Sequence, residues 1–234
     1  MDAGHEGLMA KQLDIPPKIV TICPMCDNTL KLVNASLKSD KEKLNRVSKF
    51  MDTEEQYKGE IQVLHILELF SELSKNLPLE KNVKRSLKGL KVAPYYGCML
   101  LRPREISFID PNNPEIFETM INSAGGTPIS YPKRDECCGS YQTAISREMT
   151  LKKSSEILNS AKDWDASIMV TMCPLCNFNL KFCKEELEKG SRTKLIPVLY
   201  LTELMSYAFG FDEVLTEESK VLINGLLEKE AKTN

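Results

Sequence analysis

Short apolar runs alternate along this chain with longer stretches in which apolar residues recur at helical spacing. Ile19–Ile22 and Ile168–Met172 are β-branched or apolar runs and read as buried strands. Lys91–Tyr96 and Ile129–Tyr131 read as two more, with Gly97-Cys98 a tight turn after the former, and Pro197 opens a further short strand. Cys-Pro-x-Cys follows the Ile19 and Ile168 runs, and Pro in a first turn is a good helix start. The helices that follow carry Leu30, Leu32 and Val33 in one case and Leu180, Phe182 and Leu187 in the other. The spacing predicts more helices over Glu115–Ser123, ended by Gly125-Gly126, and over Tyr141–Ala161, Thr202–Phe209 and Thr216–Lys229. In Tyr141–Ala161 the expected inner face is Ala144, Ile145, Met149, Ile157, Leu158 and Ala161. Strand and helix alternate throughout. That predicts an α/β fold with mainly parallel sheets flanked by helices.

The pattern repeats. Ile19-Val20-Thr21-Ile22-Cys23-Pro24-Met25-Cys26 reappears 150 residues later as Met169-Val170-Thr171-Met172-Cys173-Pro174-Leu175-Cys176. Val63-Leu64-His65 parallels Val198-Leu199-Tyr200 at an offset of 135, and Glu68-Leu69 parallels Glu203-Leu204. The first copy therefore carries about 15 extra residues, expected as a helix or loop excursion within Lys38–Lys58. The organisation predicted is tandem: an incomplete first module over 1–89, a complete second module over 90–211, and a C-terminal helix and tail over 212–234. Met1 aligns with Leu151, inside the helix predicted to follow Cys137-Cys138. Copy one therefore lacks counterparts of Cys98, Cys137 and Cys138. Three accounts fit: a chain that is part of a longer one, a segment supplied by another polypeptide, or a relative with one site.

A chain of 234 residues can bury a sizeable core. Its net charge of −2 excludes a general nucleic-acid binder, which would be clearly basic. Lys41-Glu42-Lys43 and Glu185-Glu186 read as solvated helix faces. Met1–Ala10 has no basic region followed by an apolar run, so no secretory leader is expected. No stretch approaches the roughly 18 apolar residues of a membrane span. A cytoplasmic location without membrane insertion is the expectation, and there eight cysteines read as metal ligands or redox groups.

Five of them form the pattern C-x38-C-C-x34-C-x2-C: Cys98, Cys137, Cys138, Cys173 and Cys176. Adjacent cysteines bond each other poorly but can share a ligand. Five thiols exceed the four that tetrahedral zinc takes. They suit an iron–sulfur cluster with an unusual ligand set. Zinc in a four-cysteine subset, buried free thiols, and a dithiol redox pair at Cys173/Cys176 are the alternatives. Cys137-Cys138 and Cys173 each precede a predicted helix, whose N-terminal dipole favours thiolate. Gly139 lets the backbone turn tightly. The three cysteine loops follow strands and should gather at the carboxyl end of the sheet. Cys23 and Cys26 are two ligands only. They read either as a packed remnant or as metal ligands completed by thiols from elsewhere. Cys183 reads as core and His65 as a packed or capping residue. Trp164, Tyr95 and Tyr96 read as core or as walls of the cysteine pocket.

Val92-Ala93-Pro94-Tyr95-Tyr96-Gly97-Cys98, Arg102-Pro103, Cys137-Cys138-Gly139 and Cys173-Pro174-Leu175-Cys176 together resemble the cysteine-rich CCG domain of the heterodisulfide reductase B subunit. Pro197-Val198-Leu199-Tyr200 and Thr202-Glu203-Leu204 are similar to the C-terminal end of the same protein. The resemblance covers nearly the whole chain. It implies two pseudo-symmetric modules, each holding a noncubane 4Fe–4S cluster through five cysteines. It also implies reduction of the mixed disulfide of coenzyme M and coenzyme B, a reaction of methanogenesis. Electrons would come from an iron–sulfur protein like that reductase's C subunit, and ultimately from a flavoprotein like its A subunit. Carried over, Cys98, Cys137, Cys138, Cys173 and Cys176 hold one intact cluster site, and Cys23 and Cys26 are the last two ligands of an incomplete second site. Related modules serve thiol-dependent fumarate reductases, certain succinate dehydrogenases, and glycolate and lactate oxidation. The alternative role is therefore an electron-transfer subunit of a flavin-dependent dehydrogenase. A zinc-stabilised interaction domain is the non-enzymatic alternative.

Overall fold

The computed structural model describes residues 17–51, 57–74, 78–189 and 194–233. The chain divides into two compact units, Met1–Phe70 and Ser71–Asn234. The expectations placed on Met1–Ala10 lie outside the described residues, as do residues 52–56 of the expected excursion.

In the first unit, β1 (Lys18–Thr21) lies parallel to β2 (Gln62–His65). Helix α1 (Pro24–Ser39) starts directly after Cys23, with Pro24 in its first turn, as the Cys-Pro signal predicts. The excursion is α2 (Lys41–Met51), a helix with no buried residue. Helix α3 (Ile66–Ser74) follows β2 without a break and crosses the unit boundary.

The second unit is built on a four-stranded parallel sheet in the order β4 (Thr127–Pro128), β3 (Lys91–Pro94), β5 (Ile168–Thr171), β6 (Val198–Tyr200). Helix α4 (Ile116–Ser123) links β3 to β4, α5 (Arg147–Asp163) links β4 to β5, and α6 (Pro174–Glu188) links β5 to β6. Helices α7 (Leu201–Phe209) and α8 (Glu217–Thr233) complete the unit. The sheet is covered on both faces, as parallel sheets are. Ala93, Met169 and Val198 face Ile157, Leu158 and Ala161 of α5 and Leu180 and Cys183 of α6. The alternate residues Val92, Ile168, Val170 and Leu199 are buried on the other side. Chain order reverses between β3 and β5, so the crevice beyond their carboxyl ends is the switch point at which open α/β sheets place ligands.

The repeat is structural. Ile19 pairs with Val63 and Thr21 with His65, while Met169 pairs with Val198 and Thr171 with Tyr200. These are the same rungs under the two sequence offsets.

Five expectations need correction. The Ile19 run is a strand but is not buried: Ile19 and Val20 are exposed and Ile22 is 68% accessible. Strand β5 lies between β3 and β6, whereas β1 has only β2 beside it among the described residues of its unit. The strand expected at Ile129–Tyr131 lies earlier, at Thr127–Pro128. Only the Ile129 N–H continues the ladder, to the Val92 carbonyl, before Pro132, which has no N–H, turns the chain away. The helix expected over Tyr141–Ala161 is two elements, a 3-10 turn over Ser140–Ala144 and then α5, which Ser146 caps by accepting from the Met149 N–H. Ala144, Ile145 and Met149 consequently face solvent. Trp164 is neither core nor pocket wall; it ends α5 and is 54% accessible. The last helix also runs on to Thr233, into the expected tail.

Candidate metal centre

Loops after β3, β4 and β5 each bring cysteine to the carboxyl end of the sheet. The first is the turn Tyr95-Tyr96-Gly97-Cys98 after β3. Tyr95 N–H continues the ladder to the Val170 carbonyl at 2.8 Å, and the N–H groups of Tyr96 and Gly97 both donate to the Arg134 carbonyl, at 2.9 and 3.3 Å. Tyr95 Oη donates to the Glu136 carbonyl at 2.7 Å. The segment just before Cys137 is thereby fastened to the segment just before Cys98. Tyr96 stacks on Phe117, its hydroxyl pairs with Glu118, and Arg134 reaches the same carboxylate at 3.2 Å. Both tyrosines are buried, as expected.

Cys137-Cys138-Gly139 forms the second loop. Gly139 has φ +106°, and a Cβ there would sit 3.0 Å from Thr150 Oγ1 and 3.2 Å from Thr150 Cα. The glycine is needed for its positive φ and for the close approach of α5. Ser154 Oγ, also on α5 and fully buried, donates to the Cys138 carbonyl at 3.1 Å. Cys173 and Cys176 arrive on the third loop, at the start of α6. The Cys173 N–H donates to Thr171 Oγ1 at 3.4 Å, and Cys173 is the residue that caps the helix start.

The five thiols form one chain of contacts. Cys98 meets Cys137, Cys137 meets Cys138, and Cys176 meets both Cys138 and Cys173. The Sγ atoms of Cys138 and Cys176 are 3.4 Å apart. Cys138 lies between Cys137 and Cys176 in this chain of contacts. The Cys137 thiol, then the Cys176 thiol, the Ser140 N–H and the Asn179 amide hold it well below the ordinary thiol range. Contact with Cys138 pushes Cys137 and Cys176 up. Cys98 is raised by burial. Contact with Cys176, and then the N–H groups of Cys176 and Leu175, bring Cys173 down.

Cys23 and Cys26 occupy the equivalent turn of the first unit. Cys26 is exposed and Cys23 half-buried. Cys183 is fully buried in the apolar cluster, and burial pushes its thiol up to about 11, so it is core as expected. His65 is fully buried and its Nδ1 accepts from the Leu67 N–H at 3.3 Å, a packed and capping role.

The residues fit a thiolate-ligated iron–sulfur group by the chemistry of their donor set. Five sulfurs converge from three loops at the sheet's switch point, and Cys138, Cys173 and Cys176 are buried. A Cβ on Gly97 would stand 3.2 Å from Cys176 Sγ, so this side of the pocket has no room for a side chain. The Tyr131 hydroxyl is buried in the same cluster with no hydrogen-bond partner among the described residues. The sulfurs touch one another, and among the described residues no group of three or more Cys, His, Asp or Glu side chains is set to chelate an ion.

Sequence reasoning missed the polar residues behind the thiols: Thr143, Thr150, Ser154 and Asn179. A signal existed for Asn179. It follows Cys176 by three residues and precedes Leu180 and Cys183 on the buried stripe of α6, where a polar residue demands partners.

Residues 92–181 match the CCG cysteine-rich domain family. The 8-methylmenaquinol:fumarate reductase membrane anchor subunit of Wolinella succinogenes is 32% identical over 206 residues, 86% of this chain and 70% of that protein. The B subunit of the ferredoxin/F420H2-dependent CoB-CoM heterodisulfide reductase of Methanosarcina acetivorans is 32% identical over 217 residues, 87% of this chain and 70% of that protein. The chain belongs to the CCG family and is of the heterodisulfide reductase B-subunit type. A protein of Archaeoglobus profundus named as like the heterodisulfide reductase B subunit is 28% identical over 204 residues, 83% of this chain and 67% of that protein. A hypothetical protein from Helicobacter pylori shares the fold, with a TM-score of 0.53 at 10% identity over 76% of this chain, which spans 32% of that structure. As a CCG protein of this type the chain is related to oxidoreductase subunits. None of its described helices is long and apolar enough to cross a membrane.

Proposed function

We propose that this chain is an iron–sulfur oxidoreductase subunit that reduces a disulfide of the CoM-S-S-CoB type at a noncubane 4Fe–4S cluster. The observation that carries the reading is the unbroken chain of contacts through Cys98, Cys137, Cys138, Cys176 and Cys173 at the switch point of the sheet. These five residues would hold the cluster. When bound, it supplies one-electron transfer and iron atoms with affinity for sulfur. The protein's own part is to gather the thiols and to aim the Asn179 amide at the Cys138 sulfur, 3.3 Å away. It also keeps the pocket narrow at Gly97. Electrons would arrive from an iron–sulfur protein like the reductase's C subunit, itself supplied by a flavoprotein like its A subunit. Cys23 and Cys26 would serve a second cluster only together with thiols from outside the described residues.

The relative named as a fumarate reductase membrane anchor favours a second reading, an electron-transfer subunit that serves a flavin-dependent dehydrogenase and never meets a disulfide. Anaerobic purification tests what both readings share. About four iron atoms and matching acid-labile sulfide per chain are expected. A colourless protein holding one zinc would overturn both. Cys138→Ser should abolish the cluster's electron paramagnetic resonance signal, and an unchanged signal would refute the ligand assignment. Disulfide reduction with a reduced dye as donor then separates substrate chemistry from relay.

A further inference from the structure

Asn179 is fully buried, and its position one turn beyond Cys176 places its amide behind the paired-cysteine loop. Both ends of its amide are engaged. Oδ1 accepts from the Thr143 hydroxyl at 2.7 Å. Nδ2 donates to the Ser140 carbonyl at 3.0 Å and to Cys138 Sγ at 3.3 Å. Rotating the amide by half a turn would set its oxygen against a carbonyl and a sulfur, two acceptors, so this network determines its orientation. Thr143 Oγ1 also lies 3.2 Å from Thr150 Oγ1, which anchors the arrangement to α5. The residue aligned with Asn179 in the first repeat is Thr29, so the repeat pattern alone does not call for an amide here.

We propose that Asn179 is a positioning residue that sets the reduction potential of the cluster held by Cys138, with Thr143 holding the amide in its donating orientation. The inference rests on the iron–sulfur reading of the five thiols. One electron enters the cluster on reduction and no proton needs to follow it, so the added negative charge spreads onto the sulfur ligands. An N–H donor aimed at one of those sulfurs stabilises the reduced state more than the oxidised state. A fixed amide achieves this at no cost in reorganisation, because Ser140 and Thr143 already hold it.

The test is a redox titration of the anaerobically purified full chain. Dithionite is the electron source, and the cluster is followed by electron paramagnetic resonance in wild type, Asn179→Leu and Thr143→Val. Leu keeps the branched shape and removes the donor. The expected result for Asn179→Leu is wild-type iron content with the one-electron reduction equilibrium weakened about tenfold, a fall in potential of about 59 mV. Thr143→Val, which leaves the donor but frees its orientation, should shift the potential the same way by less. It carries the test if the Leu variant fails to fold or to retain iron. Equal potentials in wild type and in whichever variants retain iron would overturn the inference while leaving the iron–sulfur reading intact. Absence of iron from the wild type would overturn the iron–sulfur reading and this inference with it.

Discussion

Gly139→Ala should destabilise the second unit by about 2–5 kcal/mol. Two terms make up that figure. At φ +106° and ψ −13°, Gly139 sits where an L side chain is strained, at a cost of about 1–2 kcal/mol. The added methyl would also stand 3.2 Å from Thr150 Cα, a backbone atom of α5 that cannot swing aside as a flexible side chain can. Relieving that contact means moving α5 or the cysteine loop, an overpacking cost of about 1–3 kcal/mol. Gly225→Ala is the control. Gly225 lies within α8 of the same unit, and a Cβ there meets nothing within 4 Å. In an exposed helix Ala is better than Gly by about 1 kcal/mol, so this substitution should stabilise. Urea unfolding of the full chain, followed by circular dichroism in metal-free buffer, reads both changes against one transition. A Gly139→Ala shift of less than about 0.5 kcal/mol, the scatter of ordinary surface substitutions, would refute the close packing of α5 on Gly139. Two substitutions acting in the same direction would refute it as well.

Two further outcomes follow from burial. Burial lowers the His65 imidazole from 6.5 to about 4, so the unfolded chain takes up its proton first as the pH falls. The contribution of this site to the first unit is therefore complete above pH 6.5 and lost toward pH 4, by about 3 kcal/mol. Comparing urea midpoints at pH 7 and pH 4.5 should show this loss shrinking in His65→Asn, whose Oδ1 can still accept from the Leu67 N–H; an unchanged pH dependence would count against the assignment. Brief iodoacetamide treatment of the native protein at pH 8 should label exposed Cys26 and spare buried Cys183, as read by peptide mass spectrometry. Early labelling of Cys183 would show that α6 does not pack as described.

Much of this protein was legible in its sequence because its signals are local or periodic. The strand runs, the Cys-Pro helix starts and the 150-residue repeat all rest on near neighbours, and the paired ladders of the two units follow from them. The five cysteines stood out because their pattern is too rich for a tetrahedral metal and they follow predicted strands. What failed depended on what lies across the molecule. The Ile19 run and the Ile168 run are alike in sequence, but only the latter is enclosed on both edges by described strands. Ile145 and Met149 fit a helical inner face until the break at Ser146 turns them outward, leaving Thr150 and Ser154 to meet the cysteine loop. Cys137-Cys138-Gly139 was determined as a site by its residues alone. Which amide meets the Cys138 sulfur, and what holds that amide in place, was decided only when α5 and α6 closed on that loop. Hydrogen bonds between residues some 40 positions apart leave no periodic trace in a sequence.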